Sequence, residues 1–114
     1  MGKGTTDSLE MGNGVTADPL EKARVASILK ALNALPGCRA IKRWGGPMGR
    51  RGEPDIQGCY DGRAFFFEVK RPGKQCTELQ RCELGAWWEV GAITGRVETA
   101  EQALRALKGG GRVE

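Results

Sequence analysis

The sequence predicts an α/β domain, a mixed sheet flanked by helices in the order αβββαβα. Three observations carry that prediction. Residues 54–70 consist of two apolar-rich runs joined by Asp61-Gly62, a pair that favours a two-residue hairpin turn. Asp18-Pro19-Leu20-Glu21 reads as a helix start, with a capping residue, a proline at the first helical position and an acid at the third. Beyond the hairpin, a helix and a last apolar run complete a strand–helix–strand unit, which requires a crossover and a parallel pair.

Taken in order, residues 1–17 are rich in Gly, Thr and Asn without periodicity and are expected as a flexible tail, the domain occupying 18–108. The first helix should run to Ala34 and end at Leu35-Pro36-Gly37. On a helical wheel Val25, Ile28, Leu32 and Leu35 fall within about 40° of Glu21. Glu21 therefore either reaches back to cap the helix or places a carboxylate in the buried stripe, which is costly unless it is paired or binds a metal. Cys38 to Trp44 reads as the first strand. Gly45 to Gly52 is a loop with four glycines and two arginines, suited to close approach to phosphates. After the hairpin, Arg71-Pro72-Gly73-Lys74 is a basic turn. Thr77 caps the second long helix with Gln80 at its third position, and Leu79, Cys82, Ala86 and Val90 form the expected inward stripe. Trp87 and Trp88 cannot both follow that stripe, so one is expected at the surface or an interface. Ala92 to Val97 gives the last strand and Thr99 caps a final helix ending before Gly109. Residues 109–114 are expected as a loose tail.

The hairpin carries the chemistry. With Asp61 and Gly62 as the turn, Tyr60 faces Arg63 and Asp55 falls opposite Glu68. Alternation puts Phe65, Phe67 and Val69 on one face and Ala64, Phe66, Glu68 and Lys70 on the other. Asp55, Glu68 and Lys70 thus converge on one patch. Facing carboxylates repel across an antiparallel pair, and a cation between them relieves the repulsion. Mg²⁺ or Mn²⁺ suits such a site, because these ions are often held by one or two carboxylates with waters and phosphate oxygens. The competing interpretation is an exposed salt bridge, worth about 0–1 kcal/mol.

Composition narrows the field further. The 114 residues contain no histidine and four cysteines, without a C-x-x-C pair. The missing histidine excludes Ser-His-Asp and Cys-His catalysis and H-E-x-x-H metalloproteases. Zinc spacing is poor. The cysteines are read as reduced, with Cys59 and Cys82 as buried small apolar residues, in a cytoplasmic protein. A net charge of +4 and a pI near 9.1 suit a polyanionic partner. The cations are placed to hold a nucleic-acid backbone at Lys42, Arg43, Arg50, Arg51, Arg71 and Lys74. No apolar run approaches a membrane span.

Pro54-Asp55 followed by Glu68-Val69-Lys70 resembles the PD-(D/E)xK nuclease signature. Gly52-Glu53-Pro54-Asp55-Ile56, Gly62-Arg63, Phe67-Glu68-Val69-Lys70-Arg71-Pro72-Gly73-Lys74 and Thr77-Glu78-Leu79-Gln80 resemble the VRR-NUC branch of that superfamily, over residues 17–107. The resemblance implies a restriction-endonuclease-like core and an Mg²⁺- or Mn²⁺-dependent endonuclease acting on DNA, with no small-molecule cofactor. It implies metal ligands at Asp55, Glu68 and Glu21, with Lys70 catalytic and Gln80 auxiliary to the metal site. Stand-alone members look like homodimers suited to four-way (Holliday) junctions. The rival from another class is a non-catalytic nucleic-acid-binding module with the same fold. The presence of both acids and the lysine argues against it, since a degenerate site usually loses one.

Overall fold

The computed structural model describes residues 19–43, 51–110 and 112–113. The expected tail 1–17, the Asp18 cap, Trp44 and Arg50 lie outside them. Three helices and five strands follow in the order α1 (Pro19–Ala34), β1 (Cys38–Lys42), β2 (Ile56–Tyr60), β3 (Arg63–Val69), α2 (Glu78–Glu89), β4 (Ile93–Val97), α3 (Ala100–Gly109) and β5 (Arg112–Val113). The strands form one sheet in sequence order. β1–β2 and β2–β3 pair antiparallel, while β3–β4 and β4–β5 are parallel. The αβββαβα order holds. The addition is β5, where the sequence had suggested a loose end.

The hairpin register is the one its turn dictates, with Tyr60 opposite Arg63 and Ile56 opposite Phe67. Asp61 and Gly62 have φ of 52° and 84°, the pair of positive values that a type I′ turn requires. Gly58 sits opposite Phe65, and a Cβ there would come within 2.4 Å of its ring. The Phe65 ring fills the space that the missing side chain leaves.

Alternation along β3 sorts the core into two layers. Phe65, Phe67 and Val69 join Ile56, Ile93 and Val97 beneath Val25, Ile28 and Leu32 of α1 and Ala103, Ala106 and Leu107 of α3. The expected α1 stripe is thus the buried one. On the opposite face Phe66 meets Leu84 of α2, Cys76 and Ala92, and its ring stacks on Trp87 at 4.1 Å.

The α2 stripe differs from expectation. Leu79 and Val90 are exposed, as are Cys82 and Ala86, and the inward positions are Gln80, Leu84 and Trp87. The helix is turned by about one residue because its first turn is docked through Gln80, a polar contact that apolar periodicity does not register. Trp87 is consumed by Phe66, and Trp88 is half-buried. All four cysteines are free thiols. Cys76 is the buried one, whereas Cys59 and Cys82 are exposed, contrary to expectation. Cys59 lies on the sheet face that α2 leaves uncovered, and Cys82 on the solvent side of the rotated helix. Among the described residues no helix is long and apolar enough to cross a membrane.

Candidate metal and nucleic-acid site

The site lies where β2 begins and β3 ends. Asp55 sits one residue before β2, its carbonyl accepting from the Arg43 N–H at 2.7 Å. Its carboxylate then takes over a ladder position, Oδ2 accepting from the Val69 N–H at 2.8 Å. Across from it, Glu68 is 3% exposed. Glu68 Oε2 accepts from Gln80 Nε2 at 2.9 Å and lies 3.7 Å from Lys70 Nζ. Glu68 Oε1 is buried without a hydrogen-bond partner. Asp55, Glu68, Lys70 and Gln80 therefore come together as the sequence indicated.

The electrostatics follow from burial. Desolvation, then the negative charge of Asp55, then a hydrogen bond that the protonated carboxyl shares with Asp55, pushes Glu68 up to about 9, with a smaller push from Glu21. Lys70 pulls the other way, but one ammonium at 3.7 Å does not offset burial on this scale. Glu68 alone is thus a neutral acid near neutral pH.

Glu21 is half-buried on the first turn of α1. No three Asp, Glu, Cys or His side chains gather closely enough to enclose an ion among the described residues. Glu21 acts on Glu68 as a longer-range charge, and the compact group is the Asp55–Glu68 pair. That pair still suits a hard divalent ion, since it offers a partnerless buried oxygen beside a second carboxylate, and Mg²⁺ often takes its remaining ligands from water and phosphate.

Gln80 completes the expected capping box and also contacts Glu68. Its Oε1 accepts from the Thr77 N–H at 2.8 Å, its own N–H donates to Thr77 Oγ1, and the capping box is complete. The amide nitrogen left over is the donor that reaches Glu68. One side chain fastens the helix start to the carboxylate.

The cations differ in exposure. Lys42, Arg51 and Lys74 are exposed, and Arg71 is half-buried. Arg43, expected on the phosphate-facing surface, is engaged within the protein: Nη2 pairs with Glu53 Oε2 at 2.8 Å and Nη1 donates to Gln57 Oε1. It fixes the segment that delivers Asp55, with its side chain 30% exposed. Sequence reasoning missed Glu53 and Gln57 as its partners. It also missed Arg96, which lies beside Glu68 in the parallel β3–β4 register and grips the 71–74 turn. Only the strand alignment makes that neighbour visible.

No protein-family model matches the chain, and no curated protein matches its sequence. A solved structure described as "VRR_NUC domain" superposes on 80% of this chain and 97% of its own, with a TM-score of 0.64 and 22% sequence identity. At that identity the likeness is one of architecture. The chain has the fold of a VRR_NUC domain, a helix-flanked mixed sheet of restriction-endonuclease-like form.

Proposed function

We propose that this chain is a divalent-metal-dependent nuclease that hydrolyses phosphodiester bonds in DNA. The observation that carries the reading is Glu68, a buried carboxyl with one partnerless oxygen, set against Asp55 and flanked by Lys70. A structural ion pair would satisfy both oxygens, whereas this arrangement leaves one facing a second acid. Asp55 and Glu68 would hold Mg²⁺ or Mn²⁺, with Glu21 adding negative potential. A divalent ion supplies Lewis-acid polarisation of the scissile phosphate and lowers the pKa of water. Lys70 orients the attacking water or balances charge on the phosphate, and Gln80 holds Glu68 in its rotamer. Lys42, Arg51, Arg71 and Lys74 attract the backbone without reading sequence.

Branched DNA, in particular four-way junctions, is the proposed substrate, with two chains acting as a two-fold pair. One carboxylate pair per chain cuts one strand, and the half-buried Trp88 offers an aromatic for an interface, where such side chains are enriched. The test is incubation with labelled junction, flap, nicked and linear DNA in Mg²⁺, Mn²⁺ or EDTA, alongside light scattering during size exclusion. Metal-dependent cleavage that is strongest on junctions, by a dimer, is expected. Absence of cleavage with either metal overturns the nuclease reading. A monomer cutting linear duplex equally well overturns the junction reading.

A further inference from the structure

Arg96 is an arginine whose side chain is only 14% exposed, on β4 directly beside Glu68. Its guanidinium is used on three acceptors. Nε and Nη2 donate to the Lys74 carbonyl at 3.0 and 2.5 Å, and Nη2 also donates to the Arg71 carbonyl at 3.2 Å. Nη1 pairs with Glu98 Oε2 at 2.7 Å. Glu98 is anchored in turn, its carbonyl accepting from Arg24 Nη1 at 2.7 Å and its N–H donating to Gln102 Oε1 at 2.8 Å.

The segment so gripped is the turn that follows Lys70. It is closed by the Lys74 N–H on the Arg71 carbonyl at 3.0 Å, with Gly73 at φ 84°. Pro72, Gly73 and Lys74 are exposed, so the tip of the turn has little packing to hold it, while Arg71 at its start is half-buried with its Nε enclosed. A guanidinium presents its donors in a rigid planar fork that fixes two carbonyls in one geometry, whereas an ammonium is a compact charge on a flexible stem and fixes neither. With both carbonyls directed at Arg96, neither presents a negative end to an approaching phosphate. Arg96 itself is neutralised by Glu98, so it is not a phosphate ligand.

We propose that Arg96 is a positioning residue for the DNA backbone, holding the Arg71–Lys74 turn as a preformed phosphate clamp next to Glu68 and Lys70. The inference rests on the nuclease reading for its substrate. The gain is preorganisation, since a turn already shaped loses less freedom on binding.

The test measures DNA affinity in EDTA over a salt series, and steady-state cleavage in Mg²⁺, for Arg96→Met, Arg96→Lys, Arg71→Ala/Lys74→Ala and the triple variant carrying Arg96→Met. Arg96→Met is expected to weaken binding roughly tenfold and to flatten the salt slope by about one phosphate contact. KM should rise more than kcat falls. Arg96→Lys, which keeps the charge and loses the fork, should behave like Arg96→Met. In the background without the two turn cations, Arg96→Met should cost nothing further, because it acts through them. Wild-type affinity and slope in either Arg96 variant, or fully additive losses in the triple variant, overturn the proposal; should Arg96→Met not fold, Arg96→Lys decides. If the wild-type chain binds DNA with an Arg96-dependent slope yet cleaves nothing, the nuclease reading fails and the clamp stands.

Discussion

The two faces of the sheet are built on opposite principles. The face under α1 and α3 is dry and continuous, with Phe65, Phe67, Val69, Ile56 and Val97 all at 0% exposure. The face under α2 has a small apolar cluster and, at one end of it, Glu68 with an unsatisfied oxygen. Both are written on the same seven residues of β3, at alternate positions. The dry face supplies the stability that allows the other to keep a buried acid, and Glu68 can be held rigidly because its strand is fixed from behind. The difference teaches that this site is a cost carried by the fold: removing it should help the fold, whereas removing its counterpart should break it.

That contrast can be broken most forcefully at the carboxylates. Glu68→Ala or Asp55→Ala is expected to lower cleavage about 100- to 1,000-fold, the loss typical of removing a group that stabilises developing charge. Without metal the melting temperature of Glu68→Ala should match or exceed wild type, because the desolvation of a buried carboxyl is relieved, whereas Asp55→Ala should melt lower, because it also strips the buried Val69 N–H of its acceptor. A carboxylate variant with near wild-type cleavage would remove the pair from the mechanism. On the dry face, Phe67→Ala should destabilise by about 3–5 kcal/mol, measured by denaturant unfolding. A cost near 1 kcal/mol would show that this face is not the foundation.

A pH series sharpens the comparison. The Glu68 carboxyl moves from an ordinary value of 4.5 up to about 9 on folding. Between those values the folded chain binds more protons at Glu68 than the unfolded chain does. Metal-free stability should therefore fall as pH rises through that window, by at most about 1.4 kcal/mol per pH unit from this group. Glu68→Gln should remove this contribution, leaving a flatter profile. An unchanged slope in Glu68→Gln would assign the titration elsewhere.

Smaller effects belong to the polar supports. Gln80→Ala removes half of a capping box and the donor to Glu68, so a loss of about 1 kcal/mol of stability is expected, with slower cleavage at saturating DNA. Slower cleavage should be absent from Gln102→Ala, whose amide oxygen serves the Glu98 N–H on another helix start. Equal effects of the two on cleavage would mean that the Gln80–Glu68 bond is incidental. Arg51→Ala, the mildest change, should leave stability intact and reduce the salt slope of DNA binding by about one. An unaltered slope would take Arg51 out of the interface.

Local rules were enough for the β2–β3 hairpin. Asp61-Gly62 fixes the turn, the turn fixes the register, and the period of two then sends Glu68 and the three phenylalanines to their faces. The α1 stripe and the caps at Thr77 and Thr99 were legible for the same reason: each depends on neighbours three or four positions away. Asp55 meeting Glu68 and Lys70 was readable as an extension of that register.

What lies beyond such spacing was decided by the tertiary structure. The α2 face was misjudged because Gln80, bonded to a strand twelve residues earlier, overrides the apolar pattern. Arg43 looked like a surface cation until Glu53 and Gln57 came into reach, and Trp87 looked spare until Phe66 arrived beneath it. β5 went unread because two residues carry no alternation, and its strand exists only where β4 offers an edge. Arg96 gives the clearest case, since its partners at Arg71 and Lys74 lie 25 and 22 residues away. The sequence by itself determined element order, hairpin register and the carboxylate pair, because those follow from short-range stereochemistry. The burial of Glu68, its raised pKa and the allocation of each cation to protein or solvent depend on which distant surfaces close over them.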